Sequence, residues 1–149
     1  MTTPDELELK ELLVEILQDL ETLGIVELGN EEVNVKTSGQ FFLSVLALHT
    51  AYLIFVSKNK KAIKELIENV KNPENIDELA RLSTTSLLYE IILLRMARKL
   101  PNPTLFPDVY IDVLFKFIQS VYSSSEELCK MTRESILNLY EVMKKDGVL

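Results

Sequence analysis

Residues 41–56 read Phe-Phe-Leu-Ser-Val-Leu-Ala-Leu-His-Thr-Ala-Tyr-Leu-Ile-Phe-Val, an apolar run interrupted only by Ser44, His49 and Thr50. The run predicts one apolar helix, launched by a Thr37-x-x-Gln40 capping box. Sixteen helical residues rise about 24 Å, short of the ~30 Å of a bilayer's hydrocarbon, which favours a buried helix over a membrane span. The next apolar stretch, Leu87 to Leu94, contains Glu90 and is followed by Arg95, so it offers no second span. Burying the eleven large apolar side chains of 41–56 contributes roughly 16–33 kcal/mol. Fixing sixteen backbones costs about as much. The helix is therefore expected to be surrounded, by its own neighbours or partly by another chain, and Ser44, Ala47 and Ala51 along one side would let another helix approach closely.

Working outward, the chain before this run begins with Thr3, Pro4 and Glu6, a capping box with proline at the first helical position. Leu9, Leu12, Leu13, Ile16, Leu17, Leu20 and Leu23 follow at helical spacing until Gly24. Ile25 to Leu28, Gly29-Asn30, and Glu31 to Lys36 read as a short β-hairpin, which must lie on the helical body or pair with another chain. After the run, Asn59 is placed to cap a helix with Ile63, Leu66, Ile67 and Val70 inward and its lysines outward, stopped by Asn72-Pro73. Asn75-x-x-Glu78 restarts the chain. Ser83-Thr84-Thr85-Ser86 suggests a kink or break before a helix from Leu87 to Lys99, and residues 100–107, with three prolines, read as a loop. Asp108 to Tyr122 carries both strand-like and helix-like spacing. Its length and its place after Pro107 favour helix. Ser123 to Glu127 caps the last helix, with Leu128, Met131, Ile136, Leu139, Tyr140 and Met143 inward and Lys144 and Lys145 at its end before Gly147.

The expected fold is all-α: one domain, 1–149, a compact bundle of six or seven helices around the central apolar helix 41–56, with one short β-hairpin at 25–36. A chain of 149 residues, 47% hydrophobic with four glycines and five prolines, suits one packed helical core. The net charge of −7 is unevenly spread. Residues 1–35 hold ten acids and one base, a net of −9, whereas the other 114 residues hold 13 acids and 15 bases, a net of +2. Glu8, Glu11, Glu15 and Asp19 form a candidate partner-binding acidic face on the first helix. Cys129 is the one cysteine, which excludes an intramolecular disulfide and points to a reducing, cytoplasmic setting. The first residues have neither a basic region nor an apolar core, unlike a signal peptide.

Chemistry is scarce. One histidine and one cysteine, 80 residues apart, exclude an ordinary zinc site, and no metal or cofactor is expected. Nor do they suggest a nucleophile with its base, so His49 is read as a buried or interfacial imidazole bonded to a backbone carbonyl. Glu90 is read as solvated, beside Ser83, Ser86 and Ala97 on the wetter side of its helix. No glycine-rich phosphate loop is present. Lys58, Lys60, Lys61 and Lys64, and separately Arg95, Arg98 and Lys99, could contact a phosphate backbone without reading sequence.

Leu20 to Leu28 followed by Val33 to Gly39 resembles the end of a recognition helix and the wing of winged-helix DNA-binding domains, over about twenty residues. The chain departs from that pattern in having one helix, and an acidic one, before the hairpin, where such domains place two more. The expectation is thus a non-catalytic protein-interaction module, a small subunit or adaptor of a larger assembly, with a protein partner or self-association and no membrane. The alternative is a small subunit of a nucleic-acid complex, of the size and style of the small helical subunits of archaeal CRISPR effector complexes. Abundant lysine and glutamate with only three glutamines resemble a thermophile's composition.

Overall fold

The computed structural model describes residues 11, 14–15, 17–30, 33–72, 74–97 and 108–149, with backbone alone for 33, 92–97 and 108–110. The protein is mostly helical, with one two-stranded antiparallel hairpin. The first helix, α1, is described without a gap over 17–22 and ends at Gly24, whose φ of +76° is the left-handed conformation that glycine adopts without strain. The Thr3 capping box lies outside the described residues.

Strand β1, Val26–Leu28, pairs with β2, Val33–Val35, in the register Val26↔Val35, Glu27↔Asn34, Leu28↔Val33. Ile25 and Val26 are fully buried, so the hairpin lies on the helical body. Its Leu28 N–H donates to a carboxylate oxygen of Glu21 on α1 at 3.0 Å.

Helix α2 spans Thr37–Val56, four residues longer at its start than the apolar run. The expected Thr37 capping box is not formed: Lys36 is the N-cap, without a side-chain cap bond. The reason is local. The Lys36 N–H is held by the Ile25 carbonyl, so the hairpin feeds straight into the helix and Thr37 already lies in its first turn. Twenty residues make α2 long and apolar enough to cross a membrane, so helix length no longer argues against a span. Instead α2 is built into the protein, packed against three other helices.

Helix α3, Lys60–Lys71, is capped by Asn59, whose side chain accepts from the Ala62 N–H, and it buries Leu66, Ile67 and Val70 with its lysines outward. Helix α4, Ile76–Ala97, is continuous, which corrects the expected break at Ser83–Ser86. These hydroxyls face inward. Thr84 donates to the Ala80 carbonyl at 2.7 Å, Ser86 to the Leu46 carbonyl at 3.0 Å, and Ser83 bonds the Tyr122 hydroxyl at 2.8 Å. Ser83 and Ser86 tie α4 to its neighbours, and Thr84 bonds back onto the backbone of α4 itself without breaking the helix. Consequently the side of α4 bearing Ser83 and Ser86 is core, and Glu90 is half-buried, not on a wet face as the sequence suggests. The 100–107 loop lies outside the described residues.

Helix α5, Asp108–Ser124, resolves the ambiguous stretch as helical and buries Leu114, Ile118, Val121 and Tyr122. Helix α6, Glu126–Lys145, is capped by Ser125, and Gly147 follows it at φ +77°. Leu128, Ile136 and Met143 are buried as expected, but Met131 is exposed. Helix α4 packs against α2, α3, α5 and α6, and α2 against α3, α4 and α6.

Candidate interaction surfaces

The inward side of α2 holds Leu43, Ser44, Leu46, Ala47, Ala51 and Phe55. The small residues admit α6 closely: the Ser44 and Thr132 hydroxyls meet at 2.9 Å, and the Phe55 and Tyr140 rings lie 5.5 Å apart. The outward side is apolar as well. Phe41, Val45, Tyr52, Leu53 and Val56 are each between 43% and 65% exposed, a stripe along the whole helix. Within the chain, α2 is thus covered in part, by its own neighbours on one side. Among the described residues α3, α4 and α6 cover its inner side, and side chains large and apolar all round cannot all turn toward them.

His49 is exposed within that outer stripe. Cys129, by contrast, is buried, and its thiol donates to the Tyr122 carbonyl at 3.4 Å. Burial raises the Cys129 thiol pKa above its ordinary value, with Arg133 acting in the opposite sense. Among the described residues, no three His, Cys, Asp or Glu side chains gather as a metal site would require.

The α2–α3 turn carries the first lysine cluster. Lys58, Lys60 and Lys64 line a cavity of about 550 Å³ together with Lys71. Its floor is apolar, from Ile63, Ile67, Val148 and Leu149, with Tyr140 beneath Lys144 at 5.5 Å. Glu68 is the acid on this lining and sits 4.0 Å from Lys64 on the exposed α3 surface. Lys61 is exposed and is not part of the cavity lining. Lys58 adopts φ +57°, the left-handed region that costs a β-carbon residue about 1–2 kcal/mol. It occupies the place after a helix where glycine is the usual choice.

Arg95 is described in backbone only, and Arg98, Lys99 and Glu8 lie outside the described residues. Glu11 and Glu15 are exposed and Asp19 is half-buried. Lys71 escaped the sequence reading, although its spacing of seven from Lys64 and eleven from Lys60 places all three on one helix face. Comparison with protein-family models, with curated proteins and with solved structures finds no match.

Proposed function

We propose that the chain is a non-catalytic protein-interaction module, a small cytoplasmic subunit or adaptor of a larger assembly, which docks through the outer face of α2. The observation that carries this reading is the exposed stripe from Phe41 to Val56 on a helix without a single charged residue. Contiguous apolar surface of more than a few hundred Å² is characteristic of interaction sites on soluble proteins. In the assembly α2 becomes the surrounded helix its composition demands, with α3, α4 and α6 on one side and the partner, or a second copy, on the other. The test is light scattering across a concentration series, together with purification of native complexes, for the wild type and for Tyr52→Glu. Self-association or a stable complex lost in a folded Tyr52→Glu variant supports the assignment. A strictly monomeric wild type whose complexes survive that substitution sinks it.

A second reading rests on the lysine cavity. Four lysines around one cavity, one of them held in a left-handed conformation that glycine would adopt at lower cost, suit contact with a phosphate backbone in a nucleic-acid complex. Labelled single-stranded and duplex oligonucleotides titrated over a salt series provide the check. A steep salt slope, reduced by changing Lys58, Lys60 and Lys64 together to Gln, supports it, and undetectable binding at low salt removes it.

A further inference from the structure

Among the described helices, α2 alone carries no Asp, Glu, Lys or Arg. The chain as a whole has a net charge of −7, so its copies repel one another over much of their surface. Two α2 faces meet without that repulsion.

The exposed stripe is also symmetric in its spacing. Phe41 and Val56 lie equally far from the midpoint between Leu48 and His49, and so do Val45 and Tyr52. If a second copy is laid antiparallel with a two-fold axis at that midpoint, Phe41 meets Val56 of the second copy and Val45 meets its Tyr52. Each of these layers sets one aromatic ring against one valine, so the larger side chain fills the room left by the smaller. A parallel pairing would stack ring on ring and valine on valine, alternating crowding with gaps. The antiparallel sense also brings the positive end of each helix dipole beside the negative end of the other. His49, exposed in the middle of the stripe, lands beside the axis and opposite its own copy. There a neutral imidazole can donate its N–H to the bare ring nitrogen of the other, and one polar pair in an apolar seam fixes the register.

The five exposed side chains, 43% to 65% accessible, amount to roughly 400–500 Å² per copy, so pairing covers on the order of 900 Å². That is somewhat less than the ~1,200 Å² at which stable specific interfaces begin, and it suits a reversible dimer with a dissociation constant of roughly tens of micromolar.

We propose that α2 pairs antiparallel with α2 of a second copy, about a two-fold axis between Leu48 and His49, to form a reversible homodimer. The proposal rests on the docking role of the outer α2 face and names its occupant.

The first test is sedimentation of the full chain up to about 1 mM, where a monomer–dimer equilibrium is expected and Tyr52→Glu weakens it about tenfold or more. The second is cross-linking by glutathione disulfide of single cysteines in a Cys129→Ser background, which keeps a donor for the Tyr122 carbonyl. His49→Cys is expected to cross-link to its own copy. Val45→Cys and Tyr52→Cys each stay monomeric alone, because seven helical positions set the two copies of either residue about 10 Å apart along the axis, beyond disulfide reach. Mixed together, they cross-link about tenfold faster than either does alone. Val45→Cys cross-linking to itself faster than the mixture overturns the antiparallel arrangement. A wild type monomeric to about 1 mM overturns the second copy as occupant. In that case a complex with another protein that is lost in Tyr52→Glu leaves the docking role standing, and one that survives the substitution removes it as well. Val45, His49 and Tyr52 are exposed, so their substitution spares the core. Should the Cys129→Ser background not fold, the same cysteines are read with the buried Cys129 in place.

Discussion

Gly39 shows how much can rest on one missing methyl group. A β-carbon at this position would overlap the Ile25 carbonyl, where the hairpin crosses the first turn of α2. The overlapping partner is backbone, which is itself hydrogen-bonded to Lys36, so it cannot step aside without opening the hairpin-to-helix junction. Gly39→Ala is expected to cost about 3 kcal/mol or more, measurable as a lower urea midpoint. The Tyr122 hydroxyl is a second such point. Burial pushes its pKa from the ordinary 10 up to about 12, although hydrogen bonds to Ser83 and Thr132 pull the other way. Below pH 10 folded and unfolded states both hold the proton, and the full stability is present. As pH rises toward 12 the unfolded chain ionises first, and about 3 kcal/mol is progressively lost. Tyr122→Phe should lower stability at neutral pH by about 1–2 kcal/mol yet flatten this alkaline decline, as followed by denaturant midpoints over pH. At Lys58, relief of the left-handed backbone predicts that Lys58→Gly gains about 1 kcal/mol in thermal or urea unfolding while removing a cation from the cavity.

At the scale of elements, α2 and α4 divide the labour of the core differently from what their compositions suggest. Ser83, Thr84 and Ser86 of α4 are interior because each hydroxyl finds a partner: a carbonyl of α2 for Ser83 and Ser86, or of its own helix for Thr84. The apolar α2 is half exterior because, among the described residues, its partners lie on one side. Substitutions on its two faces should therefore behave oppositely. Leu43→Ala, on the inner face, is expected to cost about 2–5 kcal/mol. Phe41→Ser, on the outer face, should leave the unfolding midpoint within about 0.5 kcal/mol of wild type while weakening association. Unfolding curves and light scattering on the same two variants separate burial from docking. At the start of α3, Asn59→Ala should cost about 1 kcal/mol by releasing the Ala62 N–H.

For the whole molecule, the cavities that mix charged with apolar side chains and the apolar face of α2 offer different chemistry. The lysine cavity joins the end of α2, the outer side of α3 and the tail after α6, and a second cavity joins α3, α4, α5 and α6. Both are assembled from segments far apart in sequence. A nucleic-acid contact through the first would show as affinity falling with salt, and would be unaffected by Tyr52→Glu, whereas docking through α2 would respond to that substitution and little to salt. Measuring both responses on one set of variants assigns each surface its own role.

The amino-acid sequence by itself determined most of the elements: helix starts at Asn59 and within Ser123–Glu127, stops at Gly24 and Asn72, the hairpin's place, and the inward stripe of α3 and, Met131 apart, that of α6. Capping and apolar spacing act within a few residues, so they are legible locally. The ambiguous stretch of α5 was also decided correctly by length and by Pro107. Only the tertiary structure decided which side of α2 faces solvent, because a helix apolar all round has no direction of its own, though Ser44, Ala47 and Ala51 already marked the side of close packing. It also decided that Ser83 and Ser86 are interior and that His49 is exposed. Each depends on what another helix brings to that spot, and no local pattern encodes the presence or absence of a partner 40 to 90 residues away in the chain.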